Sequence, residues 1–407
     1  LRISDAQTTK EYKDYKGHLT TFAKEMSIRY FVQGDVRKFG DQIKISARLL
    51  DIETGDYIWQ QSHKGKFEDI FEIQEVVAEK VVAGLNLTIT KKELSLLEER
   101  GTENAEAYEL FLKANEYYEY TSKEGFRHSI QLLSEAIKLD PNYARAYTHK
   151  ASSLTTLYRN YDRNPQYLIE AEALVTEALR IKPDLWSAYT PLGNIYLLQG
   201  KLKEAESVHN EFVQKAPEDF RSHFSLGLFY HHTNQYSKAI PPYEESIRLN
   251  SDRLINLSNL AIACNMANEG EKCAYWALVA IPKFERHLKL HPDDEAQRVN
   301  YALLLFYSGQ IKEAGVAAHE LQNVKDGFSL YNTASLFVSL GEPVEALKTF
   351  RKALQIGYKD IHYIRDFSDD INNNILFERV KGTPEHEDIK AMVEKIVVEQ
   401  LGEAGAP

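Results

Sequence analysis

From about residue 105 to about residue 358, apolar residues return every three or four positions, the stripe that an amphipathic helix buries. Asp140-Pro141, Lys182-Pro183, Ala216-Pro217, Asn250-Ser251 and His291-Pro292 each close one such stripe. Proline lacks the N–H that a helix interior needs and so stops it. Between Tyr30 and His63 the period changes to two. Ile43, Ile45, Ala47 and Leu49 alternate with Lys44, Ser46 and Arg48, which predicts a half-buried strand. Turn chemistry at Phe39-Gly40-Asp41 and Glu53-Thr54-Gly55-Asp56 divides this region into three strands, near Tyr30–Arg37, Gln42–Ile52 and Asp56–His63. Helices are predicted on either side, His18–Met26 before and Ile70–Leu85 after, the second with Ile70, Ile73, Val77, Val81 and Leu85 on one face. A last helix is expected from Glu385 to Leu401, started by Thr383 and Pro384, and a disordered tail from Gly402 to Pro407.

The helix stops are periodic. Pro183 and Pro217 stand 34 residues apart, as do Pro217 and Ser251. Two intervals are longer, with the extra residues near Asn160–Pro165 and Gly270–Ala280, where a loop or a lengthened helix can take them. In the unit from Trp186 to Pro217, Tyr189, Leu192, Gly193, Tyr196, Ala205 and Phe212 occupy the signature positions of the tetratricopeptide repeat, whose period is about 34 residues. His223, Leu226, Gly227, Tyr230, Ala239, Tyr243 and Ser246 repeat the pattern, and Gly193 and Gly227 are expected to let helix backbones touch. Weaker copies run through Ala114, Tyr117 and Ala136; Tyr147, Ala151, Ala171 and Ala178; Ala261 and Ala280; Ala302, Ala314 and Leu321; and Ala334, Phe337, Ala346, Phe350 and Ala353. The chain thus resembles a tetratricopeptide-repeat protein of about seven units. That implies a mainly α superhelical solenoid of helical hairpins that holds another protein.

Residues 1 to about 87 carry a second resemblance. Ile28 to Arg37, Leu49 to Gly55, Ile58-Trp59 and Asp69 to Gln74 are similar to the TolB-like amino-terminal domain, which often precedes tetratricopeptide repeats in bacterial regulators. That family begins with a further strand and helix, so Leu1 reads as a boundary inside the domain. The resemblance implies a small, truncated α/β domain with a three-stranded antiparallel meander. It also implies an upstream partner domain, by preference a class III nucleotide cyclase. The expected organisation is a partial TolB-like domain over 1–90, a linker helix over 91–104, repeats over 105–360, capping helices over 361–401 and the tail.

Composition narrows the chemistry. At 407 residues the chain exceeds a single core, which favours an array. No apolar run of membrane-spanning length occurs, and the two cysteines, Cys264 and Cys273, have neither disulfide-framework nor zinc-site spacing, as expected in a reducing cytoplasm. The net charge is −11 without a dense basic block, so nucleic acid is not an expected partner. Phosphate loops, dinucleotide fingerprints, zinc-protease motifs and nucleophile elbows are all lacking, so no cofactor, metal or catalytic residue is expected. His287 and His291 are spaced for one helix face but lack a third ligand. Asp293-Asp294-Glu295 reads as helix capping. Cys264 reads as a buried thiol, and the aromatic pairs Tyr117-Tyr118 and Phe306-Tyr307 as packing between repeats or, more sharply, as a stacking site.

In the repeat family the first helix of each pair lines a concave groove. The matching positions here are Asn115, Ser152, Thr155, Thr190, Asn194, Phe224, His231, Ser258 and Asn265, whose amides and hydroxyls suit an extended peptide. The function expected is a non-catalytic interaction scaffold and regulatory module of a bacterial signalling protein, or the C-terminal regulatory part of a class III adenylate/guanylate cyclase. A competing enzyme reading places Asp35, Arg37, Asp51 and His63 in a site where the sheet meets the repeats. A homodimer through the open sheet edge is also expected.

Overall fold

The computed structural model describes residues 28–85, 101–119, 122–358, 364 and 381–401. The helix expected at His18–Met26, most of the linker and the tail lie outside the described residues.

Three strands open the described chain: β1 (Tyr30–Phe39), β2 (Gln42–Asp51) and β3 (Tyr57–Lys66). They pair antiparallel in the order β1-β2-β3, with Phe39 opposite Gln42 and Ile45 opposite His63. The β1–β2 hairpin has a two-residue loop, Gly40-Asp41, and Gly40 adopts φ +60°, a conformation that suits the strand twist and that glycine enters without steric cost. Ile43, Ile45, Ala47 and Leu49 are buried on one face, as their alternation predicts. Helix α1 (Ile70–Gly84) packs Ile70, Phe71 and Ile73 with Ile43 and Ile45 in one core.

Fifteen further α-helices follow among the described residues, in a solenoid of tetratricopeptide type. They are α2 (Ala105–Glu119), α3 (Lys123–Leu139), α4 (Ala144–Asn160), α5 (Pro165–Ile181), α6 (Tyr189–Leu198), α7 (Leu202–Lys215), α8 (Phe220–His232), α9 (Tyr236–Leu249), α10 (Leu254–Met266), α11 (Gly270–Leu290), α12 (Glu295–Tyr307), α13 (Ile311–Glu320), α14 (Gly327–Ser339), α15 (Pro343–Gln355) and α16 (Pro384–Leu401). Side-chain oxygens start many of them. Ser122 accepts from the Gly125 N–H, Asn164 from Gln166, Asp219 from Arg221, Asp294 from Gln297 and Asp326 from Ser329. Residues 101–104, the described end of the expected linker helix, are not helical; Asn104 instead accepts the Ala107 N–H at 2.9 Å, and a capping residue leaves the helical conformation to do so.

The alanines of the signature do what small residues at a crossing must. Ala114, Ala151, Ala171, Ala178, Ala205, Ala239, Ala261, Ala280, Ala302, Ala314, Ala334, Ala346 and Ala353 are all fully buried. Gly227 differs from expectation. A Cβ there would stand 2.6 Å from a ring carbon of Tyr243, so the glycine makes room for an aromatic ring rather than for a second backbone. The insertion near Gly270 is a lengthened helix, since α11 runs for 21 residues with Pro282 inside it. The insertion near Asn160 includes the break between α4 and α5.

Two compact units are present among the described residues. One comprises residues 28–158 and 164–200, the other 159–163 and the chain from Lys201 onward. In the first, the sheet is tied to the first repeat: Phe71 of α1 meets Tyr108 of α2 edge to face at 5.3 Å, and Lys38 of β1 pairs with Glu109 of α2. In the second, Ile389, Val393 and Ile396 of α16 join the core of α14 and α15.

Candidate functional site

The groove positions fall on the first helices of the pairs. In the first unit, Asn115 lies on α2 between Phe111 and Tyr118, each about one turn away. Phe111 and Tyr118 both contact the His149 ring of α4, at 5.4 and 5.3 Å, and the Tyr118 hydroxyl lies 3.4 Å from that of Thr156. Arg145 lies over the Phe111 ring at 5.2 Å. On the same helix face the Asn115 Oδ1 is shielded from solvent and accepts no hydrogen bond. A buried amide oxygen without a donor is costly, on the order of 1–3 kcal/mol, and a ligand N–H would relieve that cost.

The hydroxyls are less available than their spacing suggests. Ser152 donates to the Thr148 carbonyl at 3.1 Å, Thr155 to Ala151 at 2.7 Å and Ser258 to Ile255 at 3.2 Å. Each proton is therefore used within its own helix. Thr155 and Ser258 are also buried, which places them in the packing between helices. Thr190 and Asn194 on α6 are half-buried.

In the second unit Phe224 is half-buried, with its ring 5.9 Å from Tyr243. His231 contacts Tyr236 at 5.2 Å and Tyr243 at 6.3 Å, so its ring belongs to an aromatic cluster. Asn265 is exposed beside exposed Met266. Thus Asn115, Asn194, Phe224 and Asn265 keep groups that a ligand could use. Tyr118 was singled out from sequence only as half of an aromatic pair, and Phe111 and His149 were not singled out at all, although Phe111, Asn115 and Tyr118 have the spacing of a single helix face.

The four residues of the enzyme reading do not converge. Asp35 and Arg37 pair with each other at 3.0 Å opposite Ser46 and Lys44, on the face away from α1, whereas His63 lies opposite Ile45 on the face α1 covers. Asp51 sits at the far end of β2, about 20 Å along the strand from Ile45, where its Oδ1 accepts the Glu53 N–H at 2.9 Å in a turn.

His287 and His291 lie with their rings 4.8 Å apart and tilted, but the buried His287 hydrogen-bonds Asp294 at 2.9 Å. Asp294 in turn caps α12. Burial would raise the Asp294 carboxyl, yet the His287 bond and the Gln297 N–H hold it below its ordinary value. Burial and the neighbouring His287 push His291 down. Among the described residues no group of three His, Cys, Asp or Glu is placed to hold a metal. The two cysteines are free and buried; burial pushes Cys264 up to about 12 and Cys273 to about 11, so both are unreactive thiols at neutral pH. No described helix is long and apolar enough to cross a membrane.

Known proteins share parts of this chain. A tetratricopeptide-repeat family model matches residues 190–253. A protein of Rhizobium meliloti (strain 1021) that carries the name adenylate cyclase 3 is 26% identical over 170 residues, which is 41% of this chain and 29% of that protein. The chain therefore spans well under half the length of this relative. A tetratricopeptide-repeat protein from Parabacteroides merdae is 17% identical over 64% of this chain and 97% of its own, with a TM-score of 0.42. Human IFIT1, solved as a dimer with m7Gppp-AAAA, is 13% identical over 82% of this chain and 81% of its own, with a TM-score of 0.48.

Proposed function

We propose that this chain is a non-catalytic protein-binding module that takes an extended peptide along the first helices of its repeats. The observation that carries the reading is Asn115. Its side-chain oxygen lies unsatisfied on the helix face that also carries Phe111 and Tyr118, the face that repeats of this kind turn toward a ligand. A peptide N–H satisfies that oxygen, and the half-buried rings of Tyr118 and His149 offer contact to the side chains on either side, while Phe111 behind them belongs to the core. Asn194 on the same unit and Phe224 and Asn265 on the other extend the reading to both. The acidic net charge supports a protein partner over a nucleic acid.

Binding of the chain to a display library of extended peptides, followed by titration of the selected sequences, tests this. The expected result is micromolar affinity that falls about tenfold in Asn115→Leu, the loss of one hydrogen bond in a desolvated site. Selected peptides that bind Asn115→Leu and Asn194→Leu as tightly as the parent would remove these faces from the function.

The regulatory half of the proposal rests on a different observation, the similarity to a cyclase-named protein together with the TolB-like pattern of the first strands. In this reading the module belongs to a bacterial signalling protein and passes occupancy to a catalytic domain, by preference a class III cyclase. In a longer protein that joins the two, peptide should change the rate of nucleotide cyclisation. An unchanged rate with a bound peptide would leave the binding role and end the regulatory one.

A further inference from the structure

Strand β1 has β2 on one side only among the described residues, and its run from Gly34 to Phe39 is exposed, with Val36 at 63% and Phe39 at 67%. The parity of its free edge follows from two bonds at the ends of the β1–β2 ladder. The Ile52 N–H donates to the Arg29 carbonyl at 2.8 Å, and Phe39 closes the two-residue loop with Gln42. Odd-numbered residues of β1 therefore direct their backbone groups at β2, and Gly34, Val36 and Lys38 direct theirs outward.

We propose that this edge pairs with the same edge of a second copy of the chain, antiparallel, about a two-fold axis through Val36. Charge complementarity selects the occupant and the register. Centred on Val36, the ladder sets Asp35 of each copy opposite Arg37 of the other on one face, and on the other face Val36 opposite itself. Gly34 leaves room opposite the long side chain of Lys38. The registers that would oppose Asp35 to Asp35 or Arg37 to Arg37 are compatible with the backbone but set like charges directly across the ladder, which is destabilising. The register centred on Lys38 brings like charges together. The pairing spans Gln33 to Phe39, of which Gly34 to Phe39 are open to solvent, and is independent of the peptide-binding faces described above.

Sedimentation velocity on the full chain across the micromolar range tests the pairing. The expected result is a concentration-dependent dimer that Asp35→Arg or Arg37→Asp weakens about tenfold, with affinity regained in the doubly reversed chain. Val36→Cys should form a covalent dimer under mild oxidation, against a low background because Cys264 and Cys273 are buried. A monomer at all concentrations, a dimer indifferent to both reversals, or cross-linking through Gly34→Cys instead of Val36→Cys would overturn it. Circular dichroism of each variant separates a lost dimer from a lost fold, and unaltered peptide binding separates this proposal from the groove.

Discussion

Burial holds the His209 imidazole neutral, pushed down to about 4 from 6.5, with its Nδ1 at 2.8 Å from the Ser225 hydroxyl. Above pH 6.5 neither the folded nor the unfolded chain binds the proton, so the stabilising contribution is fully present. As pH falls from 6.5 toward 4 the unfolded chain takes up a proton that the folded chain refuses, and stability drops by up to about 3 kcal/mol. Urea unfolding at pH 7 and pH 4.5 should show a smaller loss in His209→Gln than in the parent, and equal losses would dismiss the assignment. A second residue-scale feature is the left-handed position between paired helices, held by Gly200, Asn234, Asn268, Gly309 and Gly341 with φ between 57° and 84°. Asn268→Gly should be neutral or slightly stabilising, whereas Asn268→Ala should cost about 1–2 kcal/mol, since a Cβ without a local hydrogen bond is disfavoured there. A melt in which the two variants behave alike would deny that the backbone conformation matters. Position was legible in the sequence for Asn115 and Asn265; availability was not. Ser152 and Asn115 look equally suited to a peptide until their own hydrogen bonds are known.

At the scale of the element, Gly227 on α8 and Tyr243 on α9 form one packing unit. The ring is wholly buried, so it has no path away from an added methyl group. Gly227→Ala should destabilise the fold by about 1–3 kcal/mol, and Gly227→Ala combined with Tyr243→Leu should cost less than the sum of the single changes because the clash is shared. Strict additivity in chemical denaturation would show that the two do not meet. The alternation of Ile43 to Leu49, the turn glycines and the 34-residue spacing of helix stops all made the elements readable, since each encodes a local backbone preference. The expected contact at Gly227 was misassigned because sequence marks a need for space and does not say which neighbour fills it.

For the whole molecule, a repeat array draws its stability from neighbours, and its last pair depends on what lies beyond it. Helix α16 buries Ile389 and Val393 against the last repeat, and the Thr383 hydroxyl accepts the His386 N–H at its start. A chain ending at residue 380 should therefore lose hydrogen-exchange protection in α14 and α15 while α8 and α9 keep theirs. Uniform protection would show that α16 is dispensable.

What the sequence determined by itself is everything carried by local periodicity and small residues. It set the three strands and their turns, the helical hairpins, the alanines at their crossings, and the absence of motifs for phosphate, metal or nucleophilic chemistry. Tertiary structure alone decided which polar groups are already satisfied. It tied His287 to Asp294 instead of to a ligand, buried Thr155 and Ser258, and left the Asn115 oxygen without a donor. The reason is that periodicity specifies which face a side chain occupies, whereas hydrogen-bond satisfaction depends on partners brought together from distant parts of the chain.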